Sequence, residues 1–486
     1  MKKRIIALSL TLALCFTLLP ANLVFAEESV DVVSVATEAT QESVPLFNQW
    51  ALDDLVVGDT YGIYPLTAWY STTMTTPIKQ ARLRVLLAGI RKKIVSTECA
   101  TELTKVKLVL DNEMTVKEVL EVFYSTISAY EYTQDIGIAT SLSAVEFMEK
   151  HGIFTNQMGE LTLEDICTTE QACTIATRLI TYIYDALDAA SKGFLWEVKS
   201  GENKVYMLGS IHLASYDIYP FSNDILQAFQ SSDALIVEAI TSNTEALTAL
   251  VMQYGMYSDG TTLKDYVSAE TYQKTIEVAA LLGLDEATIA MIKPWLICSM
   301  FEQVSLTAST NNEDVLIASL LGIDNKFMMD ASMYEKPIYE LEGLEYQYKT
   351  IDSYSDELDE YLLISTIETV NDYLSGKSQK GKDTFDEWLE YWHDGDVEAM
   401  SKVLSEENDL PEVSDENAEI NKALNKEYKE KLLTTRDVGM ADKIDQLLKG
   451  EGSATYFVIV GSFHYISDYD VLDILEEKGY TITQIK

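Results

Sequence analysis

The chain has 486 residues, more than one hydrophobic core usually fills, so two or more domains are expected. Its 78 acidic residues against 36 Lys and Arg give a formal net charge of −42, which repels nucleic acid and anionic lipid and argues against both as partners. That charge reads first as a solvated surface and second as an attraction for a divalent metal or a cation-rich partner.

Residues 1–26 have the parts of a signal peptide: a basic start at Lys2, Lys3 and Arg4, an apolar run from Ile5, and the ending Val24-Phe25-Ala26. Pro20 and Asn22 break the run, which argues against a membrane span, and Leu14 is too bulky for lipid attachment at Cys15. No later apolar run approaches spanning length. The expected mature chain is secreted, with no transmembrane span. Residues 27–46, rich in Val, Ser, Thr and Glu without a sustained period, read as a linker.

Residues 47–190 read as a mostly helical domain, with helices over Gln80 to Val95, Val116 to Tyr130, Leu142 to His151 and Glu170 to Ala190. Trp50-Ala51, Tyr61-Gly-Ile63 and Pro77-Ile-Lys-Gln-Ala81 are echoed by Ala144 to Met148, Gly152-Ile153 and Thr168-Thr-Glu-Gln-Ala172. This spacing resembles S-layer homology repeats, although neither helix opens on that family's Thr-Arg-Ala-Glu. The resemblance implies attachment to a cell-wall polymer; a helical accessory domain is the plainer alternative. Cys99, Cys167, Cys173 and Cys298 lack zinc-type spacing. Export permits a disulfide from Cys99 to Cys167 or Cys173, with three free thiols the competing reading. Cys298, in an apolar helical pattern, reads as a buried thiol.

From residue 191 the pattern changes. Leu195 to Val198, a turn at Gly201-Glu-Asn-Lys204 and a strand from Val205 form a hairpin. Val205-Tyr-Met-Leu-Gly-Ser-Ile-His212 then joins an apolar run to Gly-Ser-x-His, and Tyr456-Phe-Val-Ile-Val-Gly-Ser-Phe-His464 repeats the design. Each is followed by a helical pattern and a further strand. The first unit ends in Ala234-Leu-Ile-Val-Glu238 and the second in Thr481-Ile-Thr-Gln-Ile485. The expected fold of 191–486 is therefore α/β, a central sheet built from two β-GxxH-α-β units flanked by helices, with an acidic helical insertion over 351–435. Ligands in such sheets sit at the C-terminal ends of the strands. Gly209 and Gly461 let backbone and side chains crowd there.

The chain holds only four histidines, and two of them stand in matching Gly-Ser-x-His contexts. A lone His after a strand is more often a hydrogen-bonded structural residue; the duplication reverses that preference. Neutral imidazoles and carboxylates are divalent-metal ligands, so His212, His464 and Glu238 are the expected metal donors. Glu238 sits within Leu-Ile-Val-Glu-Ala-Ile, where a carboxylate is costly unless paired or metal-bound. An ion pair with Arg436 is the structural alternative for it. Arg436, expected just as the last long helix opens, could orient Glu238 or stabilise an oxyanion. Asp324 and Glu342 are read near strand ends without a matching partner, as supporting residues. His151, at a helix end, and His393, beside Trp392, read as structural or surface residues.

Gly-Ser-Ile-His212, the Glu238 strand, Lys293-Pro-Trp295, Gly322-Ile-Asp324, Leu341-Glu342 with Gln347, Trp392 to Asp396, Arg436 and Gly-Ser-Phe-His464 stand in the order of the TraB/GumN family. The sequence resembles that family, which includes the TIKI metalloproteases, over about 195–486. The resemblance implies an exported hydrolase dependent on Mn, Co or Zn, acting as a peptidase on extracellular peptides. Catalysis would fall to Glu238 and Arg436, and metal binding to His212, His464 and Glu238. A non-catalytic protein sequestering a peptide or haem at the cell envelope is the alternative. Asp437 stands where the family commonly has Asn, and Tyr465 where Leu is usual.

Overall fold

The computed structural model describes residues 47–69, 74–138, 142–155, 158, 162–241, 244–309, 317–375, 380–407 and 418–486. The signal-peptide and linker expectations over 1–46 lie outside the described residues. Two units emerge by compactness. The first comprises the described residues before 192, together with 216–223; the second comprises 192–215 and 224–486. Among the described residues no helix is long and apolar enough to cross a membrane.

In the first unit, helices run over Leu52–Thr60, Gln80–Ser96, Val116–Ile127, Ala144–Lys150 and Thr169–Leu187. Three of them open on reciprocal capping boxes, Thr115 with Glu118, Ser143 with Glu146 and Thr168 with Gln171. Each box satisfies two backbone donors that a helix start would otherwise leave unpaired. The expected helix from Val116 stops short of Tyr130. There β2 (Tyr130–Tyr132) pairs antiparallel with β1 (Ala100–Glu102). The last helix ends where Asp188 turns left-handed at φ 50°.

No disulfide joins Cys99 to Cys167 or Cys173. Cys99 is half-exposed, whereas Cys167 and Cys173 are buried, and burial pushes the Cys167 thiol up to about 12. Cys298 is buried in the Pro294–Ser309 helix. His151 follows the Ala144–Lys150 helix with its ring against Phe147 and Tyr182, at 4.8 and 4.3 Å between centroids.

The second unit is α/β, with a mixed six-stranded sheet flanked by helices. The strands are β3 (Phe194–Ser200), β4 (Asn203–Ser210), β5 (Ala234–Val237), β6 (Ile338–Glu340), β7 (Thr455–Gly461) and β8 (Ile482–Ile485). Their order is β6-β5-β7-β4-β3-β8. β3 and β4 form the expected hairpin, and β8 adds antiparallel to β3. β4, β7, β5 and β6 run parallel. β7 lies between β4 and β5, with Ser210 opposite Gly461 and Val237 opposite Ile459. The two Gly-Ser-x-His strands are thus direct neighbours, and the Glu238 strand flanks the pair. All three finish at one end of the sheet.

These strands are almost wholly buried, as parallel strands covered on both faces must be. Phe229 from the Asn223–Gln230 helix and Phe327 from the Ile323–Met333 helix meet Phe457 of β7 at ring-centroid distances of 5.6 and 5.1 Å. Burying each such ring contributes roughly 1.5–3 kcal/mol, which clamps these two helices onto the centre of the sheet. From the insertion, the Lys380–Asp394 helix supplies Trp392, whose Nε1–H donates to the Gly209 carbonyl at 2.7 Å. Its neighbour Trp388 stacks edge-on to Phe463 at 5.6 Å. The chain turns at Gly395 (φ 69°) into the Val397–Glu407 helix.

The helix carrying Arg436 differs from expectation. It does not open at Thr435: the Ala418–Lys429 helix runs into a π turn over Glu430–Thr434 and continues as Thr435–Lys449. Thr434 keeps right-handed helical angles and caps nothing. Such single π turns inside helices concentrate at functional sites.

Candidate active site

His212 lies two residues beyond β4, Glu238 one residue beyond β5, and His464 in the short Phe463–Ile466 helix after β7. Gly461 marks their meeting point. A Cβ built there would stand 3.3 Å from Glu238 Oε1, 3.5 Å from His212 Nε2 and 3.8 Å from His464 Cδ2. Gly209 serves the crossing itself, since a Cβ on it would stand 2.9 Å from Ser462 Oγ. Ser462 donates through both N–H and Oγ–H to the Ser210 carbonyl, each at 2.9 Å, locking one motif onto the other.

Each imidazole leans on a carboxylate. His212 Nδ1 is 2.9 Å from Asp324 Oδ1, which also accepts from Ser210 Oγ at 2.5 Å. His464 Nδ1 is 2.5 Å from Asp437 Oδ1. An ionised carboxylate only accepts, so each Nδ1 carries the proton and each Nε2 keeps its lone pair when the ring is neutral. Asp324 sits in the first turn of the Ile323–Met333 helix, not at a strand end, and it has a partner. Spacing alone could not reveal that partner, because 112 residues separate Asp324 from His212. Burial opposes charge on His212, but Asp324 first and Glu238 after it outweigh this, and its pKa is raised. Burial is the dominant influence on Asp437 and raises its pKa despite His464 and Arg436.

Glu238 is held from both sides. Its Oε1 accepts from the Gly461 N–H at 2.5 Å, and its Oε2 from Arg436 Nη2 at 2.7 Å and Gln347 Nε2 at 3.0 Å. Burial would raise its pKa, yet Arg436, His464, His212 and the Gly461 N–H together hold it down to about 2. Arg436 also grips Glu342, from Nη2 at 2.8 Å and from Nε at 3.0 Å to each oxygen, while Nη1 donates to the Leu432 carbonyl of the π turn at 3.3 Å. Glu342 thus has the partner that the sequence reading denied it. Its backbone N–H and that of Gly343 both donate to the Glu238 carbonyl, at 2.9 Å each. Arg436 is buried, and the flanking carboxylates raise its pKa further against the effect of burial. Four of its five N–H donors go to Glu238, Glu342 and Leu432, which orients Glu238.

Two features suit a divalent cation. The two imidazoles have their proton-bearing nitrogens tied to carboxylates, the arrangement that orients histidine toward a metal. His464 Nε2 is buried with no hydrogen-bond partner among the described residues. The enclosure is incomplete, however: among the described residues no three His, Cys, Asp or Glu side chains stand together closely enough to hold an ion. His393 lies apart at the surface, with Nδ1 2.9 Å from Asp394. Tyr465 departs from the resembled pattern, where Leu is usual. It is buried with its hydroxyl lacking a partner among the described residues, and its ring lies 5.4 Å from that of Trp196.

Comparison with known proteins agrees with the order of motifs. The sequence is 21% identical over 275 residues to the "Uncharacterized protein YbaP" of Escherichia coli, covering 57% of this chain and 89% of that protein. It is 20% identical over 322 residues to a "Metalloprotease TIKI homolog" of Nematostella vectensis, covering 60% of this chain and 67% of that protein. A second such homolog, from Amphimedon queenslandica, matches at 20% over 325 residues, 61% of this chain and 62% of that protein. No solved structure matches the chain. The family match begins at residue 194. The S-layer-homology reading of 47–190 is not supported, and what stands there is a helical unit with a two-stranded ribbon. Residues 194–484 match the TraB/PrgY/gumN family, and the chain belongs to it.

Proposed function

We propose that the second unit is a divalent-metal-dependent hydrolase that cleaves an amide bond in a peptide. The observation that carries this reading is the convergence of two carboxylate-tethered imidazoles and one ionised carboxylate around Gly461. His212 Nε2, His464 Nε2 and Glu238 Oε1 are the donors that would hold the cation, and they would have to draw closer together than they stand here to do so. Bound there, it would supply Lewis-acid polarisation of a carbonyl and of a water. Asp324 and Asp437 fix the tautomer and tilt of the two rings. Arg436, Glu342 and Gln347 hold Glu238 in one orientation. Arg436 and the two imidazoles hold the Glu238 carboxyl well below its ordinary range, which makes it a weak proton acceptor at neutral pH and favours the role of ligand over that of general base. The likeness to two metalloprotease homologs supports a peptide as substrate. The basic start and apolar run of residues 1–26 support export, and hence an extracellular substrate.

The test is metal analysis of the purified chain beside His464→Ala, with cleavage of a peptide library measured with and without chelator. Near-stoichiometric metal in the wild type, lost in the variant together with chelator-sensitive cleavage, is expected. Bound metal without cleavage of any peptide would favour a sequestering protein instead. A wild type that binds neither Mn, Co nor Zn would overturn the reading.

A further inference from the structure

The helical unit carries a groove of about 750 Å³ that the hydrolase reading leaves unused. One wall is the last turns of the Gln80–Ser96 helix, where Arg91, Lys92 and Val95 fall at positions i, i+1 and i+4. The other comprises Glu102, Lys105 and Tyr130, on and beside the β1–β2 ribbon. Ser96 and Val106 complete the lining, and three of the eight residues are cations. None of the three makes an ion pair or hydrogen bond among the described residues.

Cations without an ion pair are common in this unit: Lys79, Arg84, Lys107, Lys117 and Lys150 likewise make none among the described residues. What sets the groove apart is that three such cations line one concavity with a single carboxylate, Glu102. Beyond roughly 8 Å, salt screens the acidic surface, so the local trio sets the potential an incoming ligand meets. Concave walls of one sign concentrate that potential. Arg91 offers a planar fork matched to carboxylate or phosphate, and Lys92 and Lys105 add point charges. Tyr130 is buried at the groove, and Val95 adds an apolar edge. The space is in the range of a drug-sized ligand, well beyond one inorganic ion.

We propose that this groove binds a chain-like acidic ligand bearing two or more oxyanionic groups, phosphate or carboxylate, against Arg91, Lys92 and Lys105. This site is independent of the chemistry at Gly461.

The test uses the full chain and isothermal titration from about 0.15 M salt upward, where the distant acidic surface is screened, with inorganic tripolyphosphate in one arm and short poly-L-glutamate in the other. Binding of either probe is expected, weakening as salt rises. Arg91→Gln, Lys92→Gln and Lys105→Gln combined should lower affinity at least tenfold, and Glu102→Gln should raise it. A control combining Lys264→Gln, Lys274→Gln and Lys349→Gln should bind as wild type. Tripolyphosphate alone would mark a phosphate ligand, polyglutamate alone a carboxylate ligand, and both a site that reads charge; each supports the proposal. Failure of both probes at millimolar concentration would overturn it. So would a groove variant that keeps its melting temperature and wild-type affinity, or a control that loses as much.

Discussion

Replacing Arg436 with Met tests the electrostatic logic of the site without reference to any bound metal. The methionine approximates the apolar stem but removes a guanidinium that donates to Glu238 at 2.7 Å, to Glu342 from two nitrogens at 2.8 and 3.0 Å, and to Leu432 at 3.3 Å. Two buried carboxylates are left facing each other across its place. Removing one partner of a buried ion pair costs about 3–5 kcal/mol, because the remaining charge is uncompensated. Here two charges remain, so the upper end of that range is expected at pH 7. The sign of the pH dependence should also reverse. In the wild type the folded pKa of Glu238, about 2, lies below its ordinary 4.5. Its contribution to stability is complete above the ordinary value and is lost as pH falls toward 2. In Arg436→Met one of the two carboxyls retains a proton, so stability should rise as pH falls from 7 toward 5. Urea unfolding across that range measures both effects. Adding Glu342→Gln should recover at least half of the loss, since the amide leaves Glu238 with a neutral neighbour. A loss below 1 kcal/mol, or an unchanged pH slope, would refute this account.

Three further outcomes follow from particular contacts. Gly461→Ala should fold with a cost of about 1 kcal/mol, because its methyl meets Glu238 Oε1 at 3.3 Å and the imidazoles at ordinary distances; metal content measured on the purified variant should nevertheless collapse. Gly322→Ala should cost about 3 kcal/mol or more in a melting experiment, since its Cβ would fall 2.1 Å from the His212 carbonyl oxygen, a backbone atom that cannot step aside. Burial, then Asp352 and Asp356, push Asp359 up to about 8, so the folded state holds a proton that the unfolded state has released from about pH 4 upward. Its destabilising effect therefore grows as pH rises from 4 to 8, and Asp359→Asn should gain about 2 kcal/mol at pH 8 relative to pH 5, after discounting for partial exposure.

What the sequence disclosed divides along physical lines. Gly-Ser-x-His at the end of an apolar run is a local signal, and both copies sit at strand ends where that signal puts them. The capping box at Thr168 is equally local, as is the turn at Gly395. Strand order is not local: nothing in residues 205–212 says that β7, some 250 residues later, becomes the neighbour of β4. Asp324 and Glu342 looked partnerless for the same reason, their partners being supplied by distant elements. Asp437 was visible only as an extra charge beside Arg436; one helical step turns it instead toward His464. The π turn before Arg436 leaves little trace, because Glu430 to Thr434 has ordinary helical composition. The Tyr216–Asn223 segment follows His212 closely in sequence, yet it groups with the helical unit.

The position of β7 has a consequence for how this protein is made. A nascent chain that has not reached residue 455 holds β4 and β5 without the strand that belongs between them. Each then offers an unsatisfied backbone edge, the kind of surface on which chains associate wrongly. Closing the sheet requires a contact spanning about half the polypeptide, which favours slow folding. The same delay means that no truncated product can assemble the His212–His464 pair. The chemistry is withheld until synthesis is almost finished.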